Sequence, residues 1–374
     1  MTAATQTTTP ALILCDPQVG AIRIAALTLL DRLVVALHRA GCQPIRIVCA
    51  GALPSLKRSK AVGIETEILP AMPADVALTL VADCRVLVQA ADVRAIIAGN
   101  GRHVSPTGEA LPIGMVSRLE SDLNEALISL PLIPAGGVCG SVTDAAAARK
   151  VETRLWDSLS SSTDGVVDKY FNRPLGRFLS KALVHTPVTP NQVTVASTLI
   201  GLAGAWFFAQ GNYQAGIIGA FLLQMSALVD CVDGEVARIV FKESPIGKWL
   251  DLGLDQVVHV AVFAAIAIGL SRHGGNAPVF WLGISAVAGA VISFPVVIRA
   301  RRLADKDTDT RLEKFIDAAS TRDFTALIVF LAFIERLEWF LWLTGVTVHV
   351  FWVMALLLQL PKRSKTNSAN GRAA

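Results

Sequence analysis

Apolar residues follow two different patterns along the chain. Up to about residue 135, short apolar runs alternate with amphipathic segments, which predicts a soluble α/β domain. Strands are predicted at residues 11–15, 45–50, 66–69 and 85–89, and a helix at residues 27–40 that ends at Gly41. Because predicted strands and helices alternate, we expect a parallel sheet.

Long apolar stretches begin near residue 190. They cover residues 192–209, 214–232, 249–270, 277–298, 324–338 and 339–360, which predicts about six transmembrane helices. The segment before them, residues 164–185, mixes apolar residues with lysine and arginine, which is typical of a helix at the membrane interface. An ordinary amphipathic connector between domains is the alternative interpretation.

Basic residues mark one side of the predicted spans. Lys242 and Lys248 follow the second span, a run from Arg299 to Lys314 follows the fourth, and Lys362, Arg363 and Lys365 follow the sixth. The positive-inside rule then places both termini and the loop after the second span in the cytosol, in a multi-pass protein of the inner (plasma) membrane.

Composition limits the class of protein. With 374 residues, 53% of them hydrophobic, the chain is too apolar for a wholly soluble protein. The net charge of +4 argues against a nucleic-acid binder. The six cysteines form no C-x-x-C pair and stand mostly in apolar runs, so we expect buried, reduced thiols and a cytosolic soluble part.

These patterns predict four regions. Residues 1–140 form the soluble α/β domain, and residues 141–189 a linker with a juxtamembrane amphipathic helix. Residues 190–361 form a six-helix membrane domain, and residues 362–374 a disordered cytosolic tail.

Four aspartates stand in or beside the second and third apolar stretches. Ionisable residues in such positions are costly and therefore indicate function. Residues three or four apart share one face of a helix, so two faces are expected to converge on one point. The residues on these faces are Asp230, Asp233 and Ala237 on the first helix, and Gly247, Asp251 and Asp255 on the second.

Carboxylates this close stay ionised only if cations balance them, and oxygen ligands favour hard ions such as Mg²⁺, Mn²⁺ or Ca²⁺. Gly234, Ala237 and Gly247 leave room for a bulky ligand and for close helix packing, and Arg238 can pair with phosphate oxygens. Together these features indicate phosphoryl transfer. Buried charges that merely orient helices, or an ion pathway in a cation transporter, are the alternatives.

The order D-x2-D-G-x2-A-R-x8-G-x3-D-x3-D, which runs from Asp230 to Asp255, resembles the signature of the CDP-alcohol phosphotransferase family. The resemblance implies a cytosol-facing site with two Mg²⁺ or Mn²⁺ ions. It also implies transfer of a phospho-alcohol from a CDP-alcohol to an acceptor hydroxyl with release of CMP, in phospholipid or polyol-phosphate synthesis. A homodimer among membrane lipids, with a polyol phosphate or a lipid as acceptor, is implied as well.

Site residues follow from the resemblance by position. Asp230, Asp233, Asp251 and Asp255 are expected to hold the metals, with Asp255 also acting as general base. The residues expected to bind CDP are Asp230, Asp233, Gly234, Ala237, Arg238 and Gly247, together with Asn191 and Thr194 at the start of the first span. Plain helix capping is the alternative role for Asn191 and Thr194.

Two further sites are suggested less specifically. Arg299, Arg301 and Arg302 are candidates to bind a phosphorylated acceptor, although membrane topology alone also explains basic residues there. His259 lies four residues beyond Asp255, so it either supports a metal ligand or packs in the helical core.

The soluble domain weakly resembles a sugar nucleotidyltransferase at residues 30–33, 40–42, 45–48 and 86–92. This is the arrangement of bifunctional inositol-phosphate cytidylyltransferase and di-inositol-phosphate phosphate synthase enzymes. The Gly-rich loop expected after the first strand is replaced by residues 16–23, which contain one glycine, Gly20. We therefore expect a degenerate, non-catalytic domain. The alternatives are a bifunctional enzyme that also makes the CDP-alcohol, and a merely generic α/β pattern.

Overall fold

The computed structural model describes residues 8–73, 78–117, 123–160, 165–272, 277–304, 315 and 323–359. The chain divides into two compact units. The first unit comprises Met1–Ser160, Lys181–Pro187 and Glu235–Glu243. The second comprises Ser161–Ser180, Val188–Gly234 and Ser244–Ala374.

The first unit is built on a seven-stranded sheet, in the order β10-β8-β9-β6-β1-β4-β5. Its strands are β1 (Thr9–Cys15), β4 (Cys42–Cys49), β5 (Thr66–Leu69), β6 (Thr79–Asp83), β8 (Arg102–Val104), β9 (Ala110–Val116) and β10 (Leu132–Pro134). Two small sheets pair β2 (Arg23–Ile24) with β3 (Leu27–Thr28), and β7 (Val86–Leu87) with β11 (Gly140–Ser141). The α/β fold predicted for this part of the chain is confirmed.

The sheet is mixed, so the expectation of a parallel sheet is wrong at one strand. β1 is parallel to β4 and to β6, but β9 is antiparallel to both β6 and β8. Residues 105–109 alone connect β8 to β9, and a parallel pair needs a crossover of a dozen or more residues. The strand predicted at 85–89 is only Val86–Leu87 and lies in a small sheet, whereas β6 was not predicted. Both runs are short and apolar, so hydrophobicity does not tell which one joins the main sheet.

Helices alternate with the strands of the first unit. They are α1 (Pro17–Gly20), α2 (Leu29–Arg39), α3 (Lys57–Val62), α4 (Ala90–Gly99), α5 (Leu123–Ile128) and α6 (Ala145–Asp157). The main core joins apolar residues of α2, such as Leu30 and Leu33, to Ile13 of β1 and Ile45 of β4. All six cysteines are buried and free, as predicted.

A π-helical turn, Asp168–Asn172, leads into α7 (Arg173–Leu183). This is the segment expected at the membrane interface. Its large apolar side chains are exposed, with Tyr170 at 72% and Phe178 at 83% relative exposure. An exposed apolar face beside basic residues is typical of a helix that lies on a lipid surface.

Six helices follow within the described residues between 190 and 358. They are α8 (Pro190–Phe208), α9 (Tyr213–Ile239), α10 (Pro245–Arg272), α11 (Ala277–Ala304), α12 (Asp323–Phe333) and α13 (Leu337–Leu358). By length and composition, α9, α10, α11 and α13 are able to cross a membrane. Their positions agree with the predicted apolar stretches, while the number of six spans stays a prediction. Lys306, Arg311, Lys314 and the tail 362–374 lie outside the described residues.

Candidate active site

The predicted metal ligands come from two neighbouring helices of the second unit. Asp230 and Asp233 lie on α9, and Asp251 lies on the second turn of α10. One carboxylate oxygen from each of the three lies within 4.8 Å of the other two. Asp230 and Asp233 are buried, at 6% and 7% relative exposure. The structure therefore brings together three of the four aspartates that the sequence selects.

Electrostatics make this arrangement costly without a cation. Two carboxylates at 4.8 Å repel each other by about 3 kcal/mol at an effective dielectric constant of about 20. Three oxygen donors from aspartates at this separation suit a hard divalent cation such as Mg²⁺ or Mn²⁺. The donor set therefore fits the metal that the sequence predicts.

Helix α8 supplies hydrogen bonds to two of these carboxylates. The hydroxyl of Thr194 donates to Asp233 Oδ2, and Ser197 Oγ donates to Asp230 Oδ1 at 3.3 Å. Both hydroxyls are buried, and they lie three positions apart, on one face of the helix. Ser197 was not selected from the sequence, although its spacing from Thr194 in an apolar helix was a usable signal.

The hydrogen bonds at the start of α8 show which of its polar residues caps the helix. Thr189 is the N-cap, because its hydroxyl accepts from the Gln192 amide at 3.3 Å while Gln192 Oε1 accepts from the Thr189 amide at 2.9 Å. This is a capping box, with Pro190 at the first helical position. Asn191 and Thr194 are therefore not the caps of this helix, contrary to the alternative role.

Asn191 instead approaches the start of α10. A Cβ atom added to Gly247 would lie 3.0 Å from Asn191 Oδ1 and 3.0 Å from Ser244 Oγ. These contacts are tighter than ordinary van der Waals packing, so a larger residue would push the two helix starts apart. Gly247 thus allows the close helix approach that the sequence analysis assigned to it.

The other signature residues lie along α9 and α10. Gly234 follows Asp233 directly, and Ala237 and Arg238 occupy the last turns of α9, where Arg238 is exposed. Asp255 lies one helical turn beyond Asp251 on α10 and is half-buried. Among the described residues, the carboxylate group within 4.8 Å does not include Asp255.

The predicted acceptor residues lie at the end of α11. Arg299 and Arg302 line an open cavity of about 340 Å³ together with Pro295, Ile298 and Leu303. The guanidinium group of Arg302 stands over the ring of Trp249, 5.3 Å from its centroid, and Trp249 is two residues before Asp251. The basic cluster is thus connected to the helix that carries Asp251, a predicted metal ligand.

His259 packs in an aromatic cluster. Its ring lies 5.2 Å from that of Phe324 and 6.3 Å from that of Phe263, centroid to centroid. These contacts favour the core role over support of a metal ligand.

Residues 16–23 do not form a Gly-rich loop in the first unit. Asp16 accepts a hydrogen bond from the Gln18 amide at 2.8 Å and caps the short helix α1. A Cβ atom on Gly20 would lie 3.0 Å from Cys15 Sγ and 3.2 Å from Pro54 Cγ. Internal packing therefore explains this single glycine.

A family model described as CDP-alcohol phosphatidyltransferase matches residues 187–353. The bifunctional IPC transferase and DIPP synthase of Aquifex aeolicus is 33% identical over 131 residues, which are 35% of this chain and 29% of that protein. The archaetidylinositol phosphate synthase of Pyrococcus horikoshii is 36% identical over 98 residues, which are 26% of this chain and 50% of that protein. The matched segment therefore spans less than a third of the Aquifex protein and half of the Pyrococcus protein.

Among solved structures, the phosphatidylinositol phosphate synthase of Mycobacterium tuberculosis with CDP-DAG bound is 20% identical. The match covers 50% of this chain and 92% of that one, with a TM-score of 0.36. The same synthase has also been solved in complex with manganese and citrate. By the family match and by its apolar helices, the chain is an integral membrane protein, and residues 187–353 are similar to CDP-alcohol phosphatidyltransferases.

Proposed function

We propose that this protein transfers a phospho-alcohol group from a CDP-alcohol to an acceptor hydroxyl and releases CMP. The observation that carries the proposal is the convergence of Asp230, Asp233 and Asp251 within a complete family signature. Buried carboxylates that served only to orient helices would not require the small residues or the arginine of that signature.

Each signature residue has a role in this proposal. Asp230, Asp233 and Asp251 hold divalent metal, and Asp255, one turn further along α10, completes the set. Two Mg²⁺ or Mn²⁺ ions, when bound, neutralise the charge of the pyrophosphate and polarise the reacting phosphorus. The residues that line the CDP pocket are Asp230, Asp233, Gly234, Ala237, Arg238, Gly247, Asn191 and Thr194.

The reaction forms one bond and breaks one. The acceptor oxygen attacks the phosphorus nearer the alcohol, and the bond from that phosphorus to the CMP oxygen breaks. Asp255 accepts the proton of the attacking hydroxyl as general base. Asp255 lies four residues after Asp251, so one face of α10 carries both carboxylates.

The acceptor is a phosphorylated polyol in this proposal. Arg299 and Arg302 share one cavity wall, and arginine binds phosphate through two parallel hydrogen bonds. Relatives named archaetidylinositol phosphate synthase and phosphatidylinositol phosphate synthase favour a lipid-linked donor and an inositol-type acceptor. The charge pattern and the family resemblance support a cytosol-facing site and a homodimer within the membrane.

CMP release by the purified full-length protein tests the proposal. With Mn²⁺, CDP-diacylglycerol or CDP-inositol as donor, and inositol phosphate as acceptor, we expect release that EDTA abolishes. Asp251→Asn and Asp255→Asn should each reduce release at least a thousandfold, because each removes a charge that the metal or the attacking hydroxyl needs. Asp144→Asn is the matched control, since asparagine also caps helices well and Asp144 caps α6. Retained release in either site variant would contradict the assignment.

A further inference from the structure

Helix α9 ends in a Schellman motif with an unusual residue at its left-handed position. The Lys242 amide donates to the Ala237 carbonyl at 2.8 Å, and the Phe241 amide donates to the Arg238 carbonyl at 3.4 Å. Phe241 has a φ of +57°, a conformation that glycine usually supplies because it lacks a Cβ atom. The two carbonyls that this cap satisfies belong to signature residues of the CDP pocket.

Three arginines of the first unit hold Phe241, and that unit includes residues 235–243. Arg58 Nη2 and Arg39 Nη2 donate to the Phe241 carbonyl at 2.7 and 3.0 Å. The guanidinium groups of Arg39 and Arg32 stand 4.9 and 5.6 Å from the centroid of the Phe241 ring. The two ring contacts require an aromatic side chain at the left-handed position, which glycine does not supply, whereas the two hydrogen bonds use the backbone carbonyl.

The arginines are themselves fixed by buried hydrogen bonds. Asp31, at 1% relative exposure, accepts from the amides of Arg58 and Ser59 at 2.7 and 2.8 Å and thereby fixes the start of α3. Arg32 Nε donates to the Ile24 carbonyl at 2.9 Å. Burial lowers the pKa of Arg32 to about 10, so this guanidinium still carries its charge near neutral pH.

The positive charges of Arg39 and Arg58 lie close together at the Phe241 carbonyl and repel each other. Burial lowers the pKa of Arg58, and the nearby charge of Arg39 lowers it further. Glu243 offsets part of this repulsion, because its carboxylate accepts from Arg39 Nη1 at 2.6 Å. Glu243 lies on the same segment as Phe241, and Arg39 lies on α2. The whole cluster therefore contacts one short segment, residues 241–243.

We propose that Phe241, with Arg39 and Arg58, positions Arg238 for binding of the CDP group. This inference rests on the proposed function, in which Arg238 lines the nucleotide pocket. None of the three residues is placed in contact with substrate. They act by closing the last turn of α9, because a frayed turn would spread Arg238 over several conformations and lower its affinity for phosphate.

Two variants distinguish the left-handed cap conformation from the side-chain contacts that stabilise it. Phe241→Gly keeps a residue that favours the left-handed conformation but removes the ring. Arg58→Met removes one hydrogen bond to the Phe241 carbonyl. Arg46→Met is the matched control, since Arg46 of the same unit forms an exposed ion pair with Glu67 at 2.9 Å. Arg58→Lys keeps a donor and should restore binding to within about threefold of wild type.

Binding of CDP in the presence of Mn²⁺, measured by calorimetry on the full-length protein, is the first measurement. Phe241→Gly and Arg58→Met should each raise the Kd for CDP about tenfold. In turnover they should raise the KM for the CDP-alcohol about tenfold while kcat and the acceptor KM stay within twofold. Hydrogen exchange should accelerate at the amides of residues 241 and 242 when the ring or the Arg58 donor is lost, and Arg46→Met should change none of these values.

The outcomes separate this inference from the function on which it rests. Suppose that wild type binds CDP and that Arg238→Ala weakens this binding, while Phe241→Gly and Arg58→Met bind CDP normally despite faster exchange. That result would contradict the positioning role and leave the proposed function intact. If wild type itself does not bind CDP, the proposed function fails and this inference fails with it.

Discussion

The hydroxyl of Thr194 on α8 donates a hydrogen bond to the carboxylate of Asp233 on α9. Both side chains are buried, so the contact is shielded from water. A hydrogen bond of this kind fixes the rotation of a metal-binding carboxylate and selects which of its oxygens faces the metal. In the proposed function, Thr194 therefore supports the metal site through Asp233, in addition to its expected place at the nucleotide.

Replacing Thr194 by valine tests this relationship. Valine keeps the shape of threonine and removes only the hydroxyl, so Asp233 loses its orienting donor. We expect Mn²⁺ affinity to fall roughly 10- to 100-fold, the range typical for groups that hold metal ligands. Electron paramagnetic resonance of free Mn²⁺ measures the affinity without any turnover. Thr194→Ser restores a hydroxyl and should restore most of the affinity; equal Mn²⁺ affinity in Thr194→Val and wild type would contradict the role.

Conservative changes at Arg299, Arg301 and Arg302 separate acceptor binding from membrane topology. Lysine preserves the positive charge that orients the span, but it lacks the planar fork that binds phosphate through two bonds. If the cluster binds a phosphorylated acceptor, at least one Arg→Lys variant should raise the acceptor KM about tenfold, roughly the effect of one charge-assisted hydrogen bond. The KM for the CDP-alcohol should not change. Normal kinetics for both substrates in all three variants would leave topology as their only role.

The first unit should not synthesise a CDP-alcohol. Residues 16–20 form a capped helix, Asp16 followed by α1, where a nucleotidyltransferase needs backbone amides free for a triphosphate. Full-length protein carrying Asp251→Asn, incubated with CTP, Mg²⁺ and inositol phosphate, should release no pyrophosphate. The variant silences the membrane site, so any release observed would come from the first unit. Robust release would make the protein bifunctional.

The aspartate site was predictable because its residues lie close together in the sequence, at helical spacing. Asp230 and Asp233 share a helix face by their spacing alone, and Gly247 and Asp251 do so on the next helix. The convergence of these two faces on one point was expected from that spacing. The partner Ser197 was missed because a serine in an apolar helix has many possible roles, and only the packing of α8 on α9 selects one.

Longer-range features did not follow from the sequence. Arg58 and Phe241 are 183 residues apart, and no pattern in either segment indicates that they meet. No strand was predicted at β9, and its antiparallel direction was not expected, because the alternation of strands and helices suggested parallel pairing throughout. The five residues between β8 and β9 decide its direction, and loop length was the signal that the prediction did not use.

A chain of hydrogen bonds joins three segments of the second unit. Thr325 of α12 donates to Gln224 Oε1 at 2.8 Å, and Gln224 Nε2 of α9 donates to Asn172 Oδ1 at 2.7 Å. Asn172 Nδ2 in the π-helical turn then donates to Asp168 Oδ1 at 2.7 Å. Each amide uses its oxygen on one side and its nitrogen on the other, so the orientation of both amides is fixed. Asn172 is fully buried, and Gln224 is its link to α9.

Gln224→Leu should therefore destabilise the folded protein by about 1–3 kcal/mol, because it removes two interhelical hydrogen bonds and leaves the buried Asn172 oxygen without this donor. Thermal unfolding in detergent measures the change. The control is Gln256→Leu, since Gln256 Nε2 donates one bond within the described part of the chain, to the Ala290 carbonyl at 2.8 Å. Both variants replace glutamine by leucine, so the gain in apolar burial is comparable. The difference in their unfolding free energies therefore reports the extra hydrogen bond and the buried Asn172 oxygen. Equal stability of the two variants would show that the chain of hydrogen bonds adds nothing beyond one ordinary helix contact.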